Sequence, residues 1–225
     1  MRRCPGTCLA WLGIAALLVS VGCQGAAKPA APSVRISLFN GKDLSGWTLV
    51  VSDPNADVHK VWTVRDGVVR CEGRPTGYMR TTRAYQNYRL HLEWRWPDKP
   101  ANSGVLLHAS GPDKVWPQCI ECQLQAGNAG DLVLIGDTGI TVDGRDMRDA
   151  TKPYVIIPKR QSGSEKVPGQ WNTYDIVCSN GTLSCSVNGL LQNRGEQATV
   201  TAGWIGLQSE GGPIEFRNIT LEPAR

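Results

Sequence analysis

Apolar and polar residues alternate with a period of two along most of the chain. From Tyr88 to Trp96 an apolar side chain occupies every second position, and the positions between them are mostly charged. This alternation is typical of a β-strand that buries one face in a core. No window long enough for a helix shows apolar residues at helical spacing. The pattern therefore predicts an all-β protein.

Turn signals divide these runs into short strands. Asp66-Gly67 separates the runs 61–65 and 68–71, and Asn180-Gly181 separates 171–179 from 183–187. Such dipeptides between alternating runs predict hairpins with type I′ turns. Further strands are predicted at residues 104–108, 120–124, 203–208 and 213–221. Without an internal repeat or a break in composition, residues 34–225 are predicted to form one β-sandwich.

The first 33 residues have the composition of an export signal and a tether. Arg2 and Arg3 precede an uncharged apolar stretch, which ends at Ser20-Val21-Gly22-Cys23. This resembles a bacterial lipobox, so we expect a signal peptide over residues 1–22 and lipidation of Cys23. Residues 23–33 would then be a flexible tether. An ordinary secretory signal or a membrane anchor remains the alternative to an exported lipoprotein held at the membrane, periplasmic or on the cell surface.

Charge argues against a nucleic-acid partner. The formal net charge is +4, from 24 basic and 20 acidic residues, and two of the arginines lie in the predicted signal. The rest of the chain contains no basic block, which an electrostatic nucleic-acid binder would need. No apolar run after residue 33 is long enough to cross a membrane.

The number and spacing of the cysteines indicate buried core residues rather than disulfide bonds. Outside the signal and Cys23 there are five, an odd number that cannot all pair within one chain. Cys119 and Cys122 form a lone C-x-x-C, whereas zinc sites of this type need a second pair. In the Asn-Gly hairpin Cys178 and Cys185 would be diagonal neighbours, which is a long separation for a disulfide. We expect most of these cysteines to be small buried residues.

Several predicted strands carry an unusual polar face. Glu93 and Arg95 occupy one such face, Glu121 and Gln123 another, and His108 is near. On one shared sheet these groups would form a cleft rich in carboxylates and amides. Together with the eight tryptophans of the chain, this composition suits a sugar-binding surface. Trp94 and Trp96, in the apolar register, are predicted to belong to the core instead.

A series of motifs resembles one known family. In chain order they are LFNGKDLSGW at 38–47, LEWR at 92–95, NSGV at 102–105, IECQL at 120–124, GQWNTY at 169–174, VNG at 187–189, IGLQ at 205–208 and FRNI at 216–219. The chain is thereby similar to the bacterial 3-keto-disaccharide hydrolase domains, also described as 3-keto-glucoside lyases and 3-keto-2-hydroxy-glucal hydratases. The resemblance implies a concanavalin-like β-sandwich or jelly roll.

The same resemblance implies cleavage of glycosides already oxidised at C3, which a separate sugar 3-dehydrogenase would supply. A ketone at C3 acidifies the hydrogen on C2, so a base can remove it, the group at C1 can leave, and water can add back. Such a reaction needs a general base, an electrophile at the C3 oxygen and an acid for the leaving group.

Four residues are candidates for the acid and base. Glu93 and Glu121 lie within family motifs on polar strand faces, and His108 has an unperturbed pKa near working pH. Glu210 stands where many members have His. A divalent metal held by His108, Glu93 and Glu121 is a further possibility. The candidate substrate-binding residues are Arg95, Asn102, Gln123 and Gln208.

Other interpretations of the same residues remain open. Glu93 and Arg95 could form a cross-strand ion-pair ladder, and His108 could make only local hydrogen bonds. The whole domain could be a non-catalytic carbohydrate-binding module, or a glycosidase for unoxidised sugars. The chain also departs from the family pattern at Gln170, at Glu210 and over residues 132–136. These departures leave open whether the chain has the family's substrate and activity.

Overall fold

The computed structural model describes Met1 and residues 28–224. The predicted signal peptide, the lipidation site Cys23 and the first part of the predicted tether lie outside the described residues. In the remaining part of the tether, Ala30 forms a parallel β-bridge with Tyr85.

The regular secondary structure of the described residues is almost entirely β-strand. A single short helix, α1, spans Val58–Val61 and is capped by the Asp57 side chain, which accepts from the backbone N–H of His59. In chain order the strands are β1 (Ile36–Ser37), β2 (Trp47–Val51), β3 (Trp62–Arg65), β4 (Val68–Cys71), β5 (Gly77–Thr81), β6 (Tyr85–Gln86), β7 (Tyr88–Arg95), β8 (Gly104–Ser110), β9 (Gln118–Gln123), β10 (Leu132–Ile135), β11 (Thr141–Val142), β12 (Arg145–Asp146), β13 (Tyr154–Ile157), β14 (Asn172–Ser179), β15 (Thr182–Val187), β16 (Leu190–Gly195), β17 (Ala202–Ser209) and β18 (Ile214–Pro223).

Two large antiparallel sheets form the sandwich. The front sheet has the order β13-β10-β9-β8-β17-β5-β2, with β6 beside β17. The back sheet has the order β16-β15-β14-β7-β18-β4-β3, with β1 beside β18. Strands β11 and β12 pair with each other in a separate two-stranded sheet. The all-β, concanavalin-like sandwich predicted from the sequence is thereby confirmed.

Both predicted hairpins are present, and their turns have the expected backbone. Asp66 and Gly67 adopt φ of 51° and 75°, and Asn180 and Gly181 adopt 47° and 81°. Positive φ at both central positions is the type I′ geometry, which matches the right-handed twist of the flanking strands. The register of the second hairpin sets Cys178 opposite Leu183.

The main core lies between the sheets. Alternate residues of β7 and β14 face alternate residues of β8, β9 and β17, and Trp94 and Trp96 are buried there as predicted. Trp171, unlike Trp94 and Trp96, lies on the outer face of the back sheet. The guanidinium groups of Arg95 and Arg217 both pack against its ring, at 4.5 and 4.1 Å from the ring centroid.

The five cysteines among the described residues are all free and buried, as expected from the sequence. Within the described residues no helix reaches the length and apolarity that crossing a membrane would require.

A second, smaller apolar cluster covers the outer face of the front sheet. It contains Tyr78, Leu106, Ala109, Cys119, Val133 and Ile135, with Val50 and Trp204 packed against it. Outer faces of sandwiches are usually polar and solvated. An apolar outer face that also buries polar groups therefore indicates a ligand-binding surface on this side of the molecule.

Candidate functional site

A groove of about 490 Å³ runs along this outer face. Its volume falls within the range of about 300–1,000 Å³ that is typical of small-molecule sites. The front sheet supplies most of its lining, and the segments that precede β8 and follow β17 close one end. The lining residues are Asn102, Trp116, Glu121, Gln123, Gln125, Val133, Ile135, Pro153, Tyr154, Ile156, Gln208 and Glu210. Five of the eight predicted acid, base and substrate-binding residues are among them.

Glu121 is positioned by strand register and by a glycine. In β9 it points to the outer face, while its neighbours Ile120 and Cys122 point into the main core. Its carboxyl group lies over Gly104 of the adjacent strand β8, where an added Cβ would be only 2.0 Å from Glu121 Oε1. Only a glycine leaves this space open, so Gly104 determines where the carboxyl group lies.

The electrostatics of the groove favour the protonated form of Glu121. Burial, and secondly the charge of Glu210, raise the pKa of Glu121 to about 8. Burial also raises the pKa of Glu210, which lies just after β17. Two carboxyl groups in a desolvated site cannot easily both ionise. Near neutral pH, Glu121 is therefore the protonated member of the pair.

Three buried oxygens in the groove have no hydrogen-bond partner. They are Glu121 Oε1, Asn102 Oδ1 and Gln208 Oε1. A buried polar atom left without a partner costs about 1–3 kcal/mol, so such atoms are rare unless a ligand or water satisfies them. Their position in one groove with two carboxyl groups would suit a ligand that presents several hydroxyl groups.

Gln123 lies at the polar end of the groove, and backbone N–H groups hold its side chain in place. Its Oε1 accepts hydrogen bonds of 3.0 Å from the backbone N–H groups of Leu124 and Gln125. These bonds fix the side-chain oxygen and orient the amide group at the end of β9. The backbone of Asn102 is held by β-bridges to Glu210 and Gly211.

Glu93 and Arg95 are not part of this groove. They lie on β7, in the back sheet, so the expectation that one sheet would carry all the polar faces is wrong. Glu93 accepts hydrogen bonds of 2.7 Å from Arg217 and from Asn218, and Arg95 donates one of 2.7 Å to Glu215. Burial raises the pKa of Glu93, but the bonds from Asn218 and Arg217 outweigh it and lower the pKa overall. The ion-pair ladder considered above describes these residues.

His108 also lies away from the groove. A bulge in β8, where His108 adopts a φ of 54°, departs from strict alternation. Its ring packs edge-on against Tyr88 at 5.5 Å, and its Nδ1 lies 3.1 Å from the carbonyl oxygen of Val200. Burial lowers its pKa to about 4, so the ring is neutral at physiological pH.

The metal site suggested from the sequence does not form. Glu93 and Glu121 belong to different sheets and face away from each other, and His108 points into the sandwich. Among residues 28–224, no three His, Cys, Asp or Glu side chains cluster in a way that could hold a metal ion.

The loop 111–117 between β8 and β9 is fastened across the outer face. Arg80 of β5 donates two hydrogen bonds to Asp113, of 2.7 and 2.8 Å, and the hydroxyl of Tyr78 donates a third of 3.2 Å. Arg80 also stacks on Trp204, 4.0 Å from the ring centroid. The same loop carries Trp116, which lines the groove.

The apolar side of the groove was not predicted from the sequence. Tyr154 and Ile156 of β13 and Val133 and Ile135 of β10 form this side, together with Trp116. A signal was present: residues 154–157 are apolar at every position, which is unusual for an edge strand with a solvated face.

A second groove of about 590 Å³ lies elsewhere, lined by residues of the N-terminal segment, β7, β14 and β18. Although larger, it contains an Arg35–Glu222 ion pair and no buried unpartnered side-chain atom. We therefore assign the candidate site to the groove that holds Glu121.

The two packed antiparallel sheets define a β-sandwich of the concanavalin type. More particularly, residues 35–222 match the 3-keto-alpha-glucoside-1,2-lyase-like domain, and the chain belongs to this family. Membership supports a sugar-processing role. No curated protein is significantly similar to the chain in sequence.

Several solved structures share the fold. A candidate glycosyl hydrolase from Parabacteroides distasonis ATCC 8503 is 22% identical, with a TM-score of 0.61 over 84% of this chain and 94% of that one. The β-glucanase of Bacillus licheniformis is 13% identical, with a TM-score of 0.56 over 86% and 99%. The carbohydrate-binding module CBM66 of Bacillus subtilis is 10% identical, with a TM-score of 0.54 over 79% and 95%. Because this fold includes hydrolases and a binding module, the chemistry has to be argued from the groove.

Proposed function

We propose that this protein cleaves 3-keto-glycosides by elimination across C1 and C2, followed by hydration of the product. The observation that carries the proposal is the Glu121–Glu210 pair, set among buried oxygens that lack partners. The family supports the substrate class. Besides an electrophile at the C3 oxygen, an elimination next to a ketone needs a base and an acid, and the groove contains two carboxyl groups for these two roles.

We assign the base to Glu210 and the acid to Glu121. Glu210 is the more exposed of the two and faces the groove, so its carboxylate can take the proton from C2. The electron pair of that C–H bond forms the enolate, with its charge on the C3 oxygen. Its collapse expels the group at C1, and Glu121, protonated because its pKa is about 8, gives its proton to the leaving oxygen.

The amides bind and orient the sugar. Asn102 and Gln208 present oxygens that can accept from sugar hydroxyls, and the orientation of Gln123 is fixed by the backbone. A sugar in the groove would satisfy the buried acceptors that are otherwise unpaired, so binding recovers part of their desolvation cost. Water then adds across the double bond of the 2-hydroxy-glucal, and the overall result is hydrolysis.

The first test compares a 3-keto-glucoside with its parent glucoside. We expect the purified protein to release the leaving group from the keto sugar only. Turnover of the parent would instead identify an ordinary glycosidase. Binding without turnover of either would identify a carbohydrate-binding module. Repeating the assay with a chelator tests metal dependence directly.

The roles of the two carboxyl groups can be separated with leaving groups of different basicity. Glu210→Gln should lower kcat/KM by about 10²–10⁴-fold for every substrate. Glu121→Gln should do so for alkyl leaving groups but much less for p-nitrophenol, which leaves without protonation. Glu93→Gln is the matched control, because it removes a carboxyl group on the back sheet. Its kcat/KM should stay near that of the wild type. Equal losses for the two leaving groups in Glu121→Gln would contradict the assignment.

We also propose that the protein is an exported lipoprotein, with the membrane reached through Cys23. The motif at residues 20–23 supports this proposal. Expression of the full chain and of Cys23→Ser, followed by membrane fractionation and mass analysis, is the test. We expect the wild type in the membrane fraction with a lipid-modified N-terminus, and the variant without it. Identical fractionation and mass would contradict the proposal.

A further inference from the structure

The groove has two chemically different halves. Asn102, Gln208, Gln123 and the carboxyl pair lie at one end, where β8 begins and β17 ends. The other half is formed by β10 and β13 and presents only apolar or aromatic side chains from these two strands. A site that bound only sugar hydroxyls would not need this second half.

Strand register places the apolar half beside the acid. Val133 of β10 lies directly opposite Glu121 of β9, and Ile156 of β13 lies directly opposite Val133. Neighbouring strands are about 4.8 Å apart. The row Glu121–Val133–Ile156 therefore begins at the acid and extends about 10 Å away from it, across two strands.

A second row runs parallel to the first. Ile135 lies opposite Cys119, and Tyr154 lies opposite Ile135. Tyr154 and Ile156 are 55% and 51% exposed, although both are large apolar residues, and Trp116 of the loop 111–117 is 42% exposed on the same groove. Exposed apolar residues scattered singly need no explanation, but a cluster beside a polar site indicates a binding surface.

We infer that these two rows form a subsite for an apolar leaving group, so that the preferred substrates are 3-keto-glycosides of apolar alcohols or phenols rather than disaccharides. The inference rests on the proposed function, because the acid Glu121 must face the leaving oxygen. The group that departs from C1 then lies over Val133, next to the acid. A second sugar would place its hydroxyl groups on Val133, Ile135 and Ile156, whose side chains offer no hydrogen-bond partner.

The test uses leaving groups of similar basicity but different polarity. The probes are the 3-keto-glucosides of methanol, n-hexanol and a diethylene glycol monomethyl ether of similar length. Each buried methylene contributes a factor of about four in affinity. We expect kcat/KM for the hexyl compound to exceed that for the methyl compound by at least tenfold, and the ether to gain far less. Equal values for the hexyl compound and the ether would overturn the inference.

Substitutions locate the effect. Ile156→Thr and Val133→Thr keep a β-branched side chain but add a hydroxyl group, and we expect each to reduce the hexyl-to-methyl ratio several-fold. Leu191→Thr is the matched control, because Leu191 is 40% exposed on β16, far from the groove in the strand order. Its ratio should equal that of the wild type. An unchanged ratio in both groove variants would overturn the inference.

Two further measurements separate other outcomes. Direct binding of hexyl and methyl 3-keto-glucosides to Glu210→Gln reports the subsite without turnover. A hexyl preference there, with no turnover by the wild type, would reject the proposed function and retain the subsite. Light scattering of the wild type and Ile156→Thr tests a second copy of the chain as the occupant. A dimer that dissociates in the variant would overturn the inference.

Discussion

Among individual residues, Glu121 has the largest consequence for chemistry. It is a carboxyl group in an apolar strand environment, close to a second carboxyl group, and the pKa of about 8 follows mainly from burial. Groups with such perturbed pKa values cluster at functional sites, and here geometry and pKa identify the same groove. Because of the same pKa shift, the free energy of unfolding should depend on pH.

The pKa of Glu121 is about 8 in the folded state and about 4.3 in the unfolded chain. Because the folded pKa is the higher one, the folded state holds the proton more tightly between these values. The free energy of unfolding should therefore fall as pH rises from about 4 to 8, by on the order of 1.4 kcal/mol per pKa unit. Urea denaturation at pH 5 and pH 9 measures this. Glu121→Gln should show a smaller fall, and an equal fall would contradict the assigned pKa.

The pH dependence of catalysis has the same origin. Turnover of an alkyl 3-keto-glucoside should decline as pH rises through about 8, because Glu121 then loses the proton that the leaving group needs. It should decline at low pH as Glu210 becomes protonated. A pH profile of kcat/KM measures both limits. A profile that continues to rise above pH 9 would show that Glu121 acts as a base.

Gly104 is a positioning residue for the acid. In Gly104→Ala the new Cβ would lie 2.0 Å from Glu121 Oε1, so the carboxyl group has to move. We expect kcat for alkyl leaving groups to fall at least tenfold, with a smaller loss for p-nitrophenol. Gly206→Ala is the control on the same face, since its Cβ would meet the Leu106 side chain at 3.2 Å and not the acid. Equal losses in both variants would indicate general disruption of the sheet.

At the scale of elements, the loop 111–117 lies across the outer face of the front sheet, between its anchor on β5 and the groove. It is anchored by Asp113 to Arg80 and Tyr78, and it carries Trp116 into the groove. The hydrogen bonds from Arg80 lower the pKa of Asp113, so the anchor is charged over the whole working range of pH.

Loss of this anchor should loosen the loop. In Arg80→Met, which leaves Asp113 without its guanidinium partner, we expect faster hydrogen exchange of the loop amides and a several-fold rise in KM with little change in kcat. Arg148→Met removes the exposed Arg148–Asp137 pair and serves as the control, with no effect on KM. A KM for Arg80→Met equal to that of the wild type would mean that the loop does not contribute to binding.

At the scale of the whole molecule, the sandwich is held together by packing between the sheets and contains no disulfide among its described residues. Burial raises the pKa values of Cys71 and Cys178 to about 11 and 12. These thiols are therefore neutral and unreactive while the protein is folded.

Thiol counting tests this arrangement. A thiol reagent should find none of Cys71, Cys119, Cys122, Cys178 and Cys185 in the folded protein and all five in denaturant, and a reductant should leave the melting temperature unchanged. Fewer than five reactive thiols after denaturation without reductant would reveal a bridge between the sheets.

Some residues were placed correctly from the sequence because the information is local. The alternation in residues 88–96 fixes which side chains of β7 share a face, and Asn180-Gly181 fixes both the turn and the register of its hairpin. Asn102, Glu121, Gln123 and Gln208 lie in the family motifs, Glu210 was named as a departure from the family, and all five line the groove.

Other residues were misplaced because their partners are distant in sequence. Glu93 has the same alternating context as Glu121, and nothing local shows that β7 joins the back sheet and β9 the front sheet. The inward turn of His108 depends on a bulge that periodicity does not reveal. Trp116 and Tyr154 reach the groove from a loop and an edge strand, whose positions depend on the whole sheet.

The sequence by itself determined the class of fold, the main strands and their inner faces, the hairpin turns and the family. These follow from side-chain alternation, turn chemistry and motif order, which act over a few residues. Only the tertiary structure decided which polar face lines the groove, which carboxyl group is buried in it and which apolar residues lie beside that carboxyl group. Those features arise from the order of strands within two sheets, and that order is set by the joint burial of residues far apart in the chain.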